Sequence, residues 1–279
     1  MESADFRRLS RAVWEAMAPG WDARHAYFEE IAQPVTERML ERLDPEPGQT
    51  ILDLAAGTGV VGFAAAELVG SDGSVIVSDF AEGMVDAARR HAARLSLRNV
   101  ECRVLDAEGL ELPDDAVDGV LCRWGYMLMA DPAKALAETR RVLRPGGRLA
   151  CAVFSGPAEN PWGAVPVGVL VERGHMPPLE AGAPGLFALA DRDRLRRLFV
   201  EAGFAEPRIE DVSFTWRFSG PDDFWRFLQE AAGAITLVLD RLDPQERGRV
   251  GDQVRAGVAS FGSADGIELP GTSLVVSAS

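Results

Sequence analysis

Lysine, cysteine, tyrosine and histidine are all scarce in this chain of 279 residues, and no long apolar run is present. The three cysteines, Cys102, Cys122 and Cys151, have neither metal-ligand nor redox-motif spacing, so they are read as packing residues of buried strands, and no metal is expected. No apolar stretch approaches the roughly 18 residues needed to span a bilayer, which excludes a membrane partner. The opening stretch, Met1 to Arg8, is charged and lacks the apolar centre of a signal peptide, so a cytoplasmic location is expected. A net charge of -14 repels polyanions over the surface as a whole and counts against nucleic acid as a partner. Arg89, Arg90, Arg94 and Arg98, and later Arg192, Arg194, Arg196 and Arg197, form local basic runs, but few aromatics lie among them to stack bases, so they read as solvated helix faces. Only Lys134 is a lysine among the 29 basic residues, a skew that points to coding-sequence composition before function.

What is present is an apolar strand running into a glycine turn, Ile51-Leu52-Asp53-Leu54-Ala55-Ala56-Gly57-Thr58-Gly59. Gly57 and Gly59 tolerate positive φ and let backbone approach a ligand. With Gly62 the stretch also matches G-x-G-x-x-G, which alone suggests a dinucleotide site. Asp53 argues the other way: a carboxylate beside the turn repels a pyrophosphate and pairs with an ammonium group. S-adenosylmethionine (SAM) carries such an ammonium and no phosphate. A second strand, Val75 to Asp79, ends in an acid placed to accept ribose hydroxyls, and a third, Val104-Leu105-Asp106-Ala107, ends in one placed to bond an adenine amino group. Each acid alone is also a plausible strand end or helix cap; their ordered spacing favours a nucleoside ligand.

These residues resemble the class I SAM-dependent methyltransferases, particularly the branch that includes the ubiquinone and menaquinone biosynthesis enzymes. The likeness covers residues 48 to 154 and takes in Leu52 to Gly59, Asp79 with Gly83-Met84-Val85, Asp106-Ala107, and Leu143-Arg144-Pro145-Gly146-Gly147-Arg148. It implies that Asp53 binds the SAM amino group, that Ala55, Gly57 and Gly59 lie against the methionine end, that Asp79 holds the ribose, that Phe80 and Met84 flank the adenine, and that Asp106 and Ala107 read its edge. Arg123 and Trp21 join this cofactor set, Trp21 because relatives often carry an aromatic near that point. Ala56 departs from the Cys or Gly often found there, without consequence for binding.

Alternating strand and helix patterns predict an α/β fold: a Rossmann-like, seven-stranded class I methyltransferase sheet, of order 3-2-1-4-5-7-6 by resemblance, with a helical N-terminal arm and a helical lid or insertion. Residues 1–47 form the arm, expected to act as a partial lid and ended by Asp44-Pro45-Glu46-Pro47-Gly48; residues 48–154 form the SAM-binding core. Residues 155–190, rich in Gly, Pro and Ala and without strong periodicity, read as a lid or substrate loop. Residues 191–279 complete the sheet around a helical insertion at 221–261. No feature sets an oligomeric state.

Displacement at a sulfonium methyl needs alignment in a water-poor site more than it needs a base. Candidates for a base are His25, His175 and Tyr126, with His175 and Tyr126 carried forward as catalytic; His91, among arginines, is read as surface. Trp124, Tyr126, Trp162 and His175 are expected to contact substrate, with further walls from Phe187, Phe224 and Trp225. The bulky segment Arg123 to Met129 favours a ring or acyl chain over a small polar metabolite. The expected activity is therefore methyl transfer to a small, partly apolar or aromatic molecule. The alternatives are an RNA or protein methyltransferase, a nicotinamide-dependent oxidoreductase and a non-catalytic SAM-binding protein.

Overall fold

The computed structural model describes residues 3–178, 180 and 182–279. Five segments build a parallel sheet: β1 (Thr50–Leu54), β2 (Ser74–Asp79), β3 (Val100–Val104), β4 (Val117–Arg123) and β5 (Leu143–Phe154). Between them run α3 (Val60–Val69), α4 (Glu82–Arg94) and α5 (Pro132–Val142), preceded by α1 (Ser3–Ala23) and α2 (His25–Leu43). Near-continuous apolar composition in β1, β2 and β4 follows from burial on both faces, since parallel connections place helices on each side. After β5 come α6 (Pro161–Glu172), α7 (Arg192–Glu201), β6 (Arg208–Phe218), α8 (Pro221–Glu230), α9 (Ala234–Arg241), α10 (Pro244–Val258), the two-residue β7 (Gly262–Ser263) and β8 (Gly266–Ala278). The strand order is β3-β2-β1-β4-β5-β8-β6, with β8 antiparallel to both neighbours and β7 paired to its start. The seven long strands have the expected order; the short β7 is an addition. β5 begins at Leu143, which pairs with Val117, and the Arg144 to Gly147 turn is then absorbed as a bulge before Gly119 meets Arg148.

Within the arm, α2 buries Phe28, Ile31, Val35 and Met39 against the sheet and belongs to the core. α1 lies over the ligand end, where Val13, Met17 and Ala18 pack on Ala81 and Met84 of the α4 region, and Phe28 of α2 also reaches the cavity. Residues 155–190 are not a structureless loop, because α6 fills their first part. That helix is apolar on nearly every side, so it shows no amphipathic period, and Pro161 stands in its first turn, where a missing N–H is harmless. Cys122 and Cys151 are buried and Cys102 half-buried, all as free thiols.

Candidate active site

A cavity of about 270 Å³ opens beyond the C-terminal ends of β1, β2, β3 and β4, where ligands bind in open α/β sheets. Its geometry begins with the turns that leave β1 and β4. Ala55 (φ 50°) and Trp124 (φ 62°) both occupy the left-handed region, an unusual conformation for a residue with a Cβ and a strained one for a bulky aromatic. The turns abut so closely that a Cβ on Gly125 would stand 2.7 Å from that of Ala55. Gly57 (φ 55°) presents its backbone to the cavity beneath the Trp21 ring, whose nearest atom would be 3.4 Å from a Cβ there.

Three acids stand at the strand ends. Asp53 is fully buried; its Oδ2 accepts the Gly62 N–H at 2.7 Å, and its Oδ1 has no partner. Burial pushes this carboxyl up to about 7, with the Asp79 charge adding to the effect, while Arg123 and the Gly62 hydrogen bond oppose it. Asp79 accepts from Gly57 N–H and Ala81 N–H, each at 3.0 Å, and burial pushes it up to about 6 against those same donors. Asp106 accepts the Glu108 N–H at 2.9 Å and lines the cavity with Phe80, Met84 and Ala107. An ionised carboxylate oxygen has two acceptor directions, so Asp79 and Asp106 keep capacity for a ligand.

Beyond Trp124 the wall becomes aromatic. Trp124 lies 4.8 Å from Phe154 and 6.2 Å from Trp216, and Trp162 lies 4.5 Å from Trp216 and 5.0 Å from Phe154. The indole N–H of Trp124 donates to Ser273 Oγ at 2.9 Å and that of Trp21 to the Ala231 carbonyl at 3.0 Å, which fixes both rings. Met127, Met129, Met176 and Phe187 complete this half, with Phe227 from α8 and Ile235 from α9.

The structure gathers Asp53, Ala55, Gly57, Asp79, Phe80, Met84, Asp106, Ala107, Arg123, Trp21, Trp124 and Trp162 around one space. Gly59 stands outside it; its φ of 93° and the Phe63 ring, which leaves no room for a Cβ, explain the glycine structurally. Tyr126 is also outside: it is 1% exposed, bonds Thr139 Oγ1 at 2.6 Å, and is held well above its ordinary range by burial. His175 does not line the cavity, because Glu246 Oε1 holds its Nε2 at 2.8 Å. Phe224 is core, and Trp225 stacks under Arg255 on the far side of the insertion. His91 is buried rather than surface: Asp22 Oδ1 takes its Nε2 at 2.6 Å, and the His25 ring stacks on it at 3.6 Å. His25 in turn bonds Thr58 Oγ1 at 2.8 Å, and burial with the neighbouring charge of His91 brings it down to about 4. Sequence reading missed Phe28, Trp216 and Phe227 as cavity walls. For Trp216 a signal existed, since alternation along β6 sets Phe214, Trp216 and Phe218 on one face.

Among the described residues there is no cluster of metal-binding side chains, and no helix is long and apolar enough to cross a membrane. The model of the ubiE/COQ5 methyltransferase family matches residues 31–165. The nocamycin O-methyltransferase of Saccharothrix syringae is 32% identical over 256 residues, covering 82% of this chain and 89% of that protein. The demethylmenaquinone methyltransferase of Clavibacter sepedonicus is 40% identical over 177 residues, covering 63% of this chain and 66% of that protein. A 37.1 kDa protein of a Streptomyces fradiae transposon, 32% identical, is spanned over 61% of its length, with 77% of this chain covered. The fold matches the crystal structure of the YcgJ protein from Bacillus subtilis with a TM-score of 0.59 at 18% identity, over 87% of this chain and 96% of that one. The three strand-end acids, the glycine turn between them and the similarity to the two methyltransferases have one common explanation: the chain belongs to the class I SAM-dependent methyltransferases.

Proposed function

We propose that the chain transfers a methyl group from SAM to a small, largely apolar or aromatic molecule seated against Trp124, Trp162 and Trp216. The observation that carries this reading is the continuity of one cavity from the acids of β1, β2 and β3 to that aromatic wall. The residues present fit the cofactor. Asp53 Oδ1 is a buried acceptor without a partner, a costly arrangement that an ammonium donor would relieve. In this assignment Asp53 takes the amino group, Asp79 the ribose hydroxyls, Phe80 and Met84 the adenine faces, and Asp106 with Ala107 its edge. Ala55 and Gly57 lie along the methionine end beneath Trp21. SAM, when bound, supplies a methyl made electrophilic by its sulfonium.

The protein's own contribution is alignment and exclusion of water. Its aromatic walls desolvate the acceptor, and the fixed Trp124 and Trp21 rings limit the approach directions open to it. The relatives named above act on demethylmenaquinone and in nocamycin methylation, both small-molecule chemistries, which agrees with the shape of this space. A net charge of -14 speaks against a nucleic-acid acceptor. The test is transfer from methyl-labelled SAM into a cell extract whose small-molecule, RNA and protein pools are counted separately. Label in the small-molecule pool is expected; label confined to RNA or protein would replace the substrate class.

A further inference from the structure

Charge is unevenly divided along the cavity. Its ionisable lining residues are Arg7, Asp53, Asp79, Asp106, Glu108 and Arg123. The acids sit at the cofactor end, and Glu108 is already engaged: Oε1 accepts from Ala130 N–H and Asp131 N–H, and Oε2 meets Arg7. Among the described residues, the aromatic half contributes no histidine, cysteine, tyrosine or lysine to the wall, so nothing there removes a proton. The two residues expected to act as bases, Tyr126 and His175, are tied to Thr139 and Glu246 outside it.

The charged group at the border of the aromatic half is Arg123. Its guanidinium lies 5.1 Å from the centre of the Trp124 ring, and Nη1 donates to Thr36 Oγ1 at 2.7 Å. Among the described residues no carboxylate stands within 4.0 Å of it. Arginine carries five donors in a rigid fork suited to oxyanions, and most of this fork is uncommitted. Burial lowers Arg123 to about 10, with Asp53 and Glu29 opposing, so it remains a cation at neutral pH.

We propose that Arg123 anchors the methyl acceptor by an oxyanion, so that the acceptor is a carboxylic acid or an acidic phenol or enol on an apolar skeleton, arriving already ionised. This rests on the methyltransferase reading above. In the step, a lone pair of the acceptor oxygen forms the new O–C bond to the methyl while the C–S pair returns to sulfur. The anionic and sulfonium charges cancel and no proton changes hands, which matches a wall without a base.

The test is calorimetric binding to the protein loaded with S-adenosylhomocysteine, where no turnover occurs. The probes are 1-naphthoate and 2,4-dinitro-1-naphtholate, each beside its neutral methylated counterpart, methyl 1-naphthoate and 1-methoxy-2,4-dinitronaphthalene. At least one anion is expected to bind about tenfold or more tighter than its neutral counterpart, the scale of a charge-assisted hydrogen bond. Which anion wins separates carboxylate from phenolate acceptors. R123M should erase the preference and R123K should keep part of it, each titrated at saturating S-adenosylhomocysteine. Equal binding of each anion and its neutral counterpart, or an anion preference that survives R123M, would overturn the proposal. Failure of the wild-type protein to bind SAM would instead overturn the reading beneath it.

Discussion

Asp53 is the residue in which the chemistry and the stability of the protein on its own conflict. Its carboxyl is fully buried and titrates near 7 when folded, against the ordinary 3.8 when unfolded. The folded state therefore holds a proton that the unfolded state has lost across that window. The resulting stabilisation is present in full below about pH 4 and disappears as pH rises through 7, at up to about 1.4 kcal/mol for each pH unit crossed between those two values. Asp79, pushed up to about 6, adds to this trend, and His25, brought down to about 4, opposes it up to about pH 6.5, so ligand-free protein should show a net fall in melting temperature between pH 4 and 7 that D53N flattens; an unchanged slope in D53N would assign the effect elsewhere. SAM affinity should run the opposite way. An ammonium pairs only with the ionised carboxylate, so affinity should fall by up to about tenfold for each pH unit below 7, a trend that calorimetric titration of wild type would detect. D53A should lose SAM binding at all pH values, and retention of wild-type affinity would sink the assignment.

At the scale of elements, α1 and the start of α4 act on each other through a few contacts. Glu15 of α1 accepts from Glu82 N–H at 2.5 Å and Gly83 N–H at 2.8 Å, and so caps α4, whose own N-cap residue Ala81 has no capping side chain. One residue therefore ties the cover of the cavity to the helix that follows Asp79. E15A should cost about 1 kcal/mol of stability, measured by urea unfolding, and should weaken SAM binding more than E15Q does. Contacts of this kind explain which parts of the site are legible in sequence. Asp53, Asp79, Asp106 and the glycines sit at strand ends whose order follows from local pattern, so chain position alone brings them together. Trp216 and Phe227 reach the same space from β6 and α8, after a β5–β8–β6 crossover that no local period encodes. The histidines escape sequence reading for a related reason. The helix carrying His91 looks solvent-facing from its arginines, but Asp22 and His25 come from the distant arm to bury that ring. The α6 segment is hidden by the opposite problem, since a helix buried on most sides loses the amphipathic signal.

For the whole molecule, the cavity joins the arm, the sheet and the late helical insertion, so occupancy should stabilise all three together. Trp21 links them: it covers Gly57, stacks on Phe28 at 4.1 Å, and donates to the Ala231 carbonyl at the end of α8. Arg24 adds an ion pair with Glu230 at 2.7 Å. A ligand that binds only the folded state at 100 times its dissociation constant adds about 2.7 kcal/mol. For a chain of this size that is an upward shift of roughly 4–6 °C in Tm. Differential scanning with SAM should show this shift as a single transition, because Trp21 packs against both the main core and the cluster between α1 and α4. W21A should shrink the shift by removing both the cover over Gly57 and the bridge to Ala231, whereas W21F, which keeps a ring and loses only the hydrogen bond, should retain most of it. A W21F shift as small as that of W21A would mean that the bridge to the insertion, and not the aromatic cover, couples the arm to the ligand.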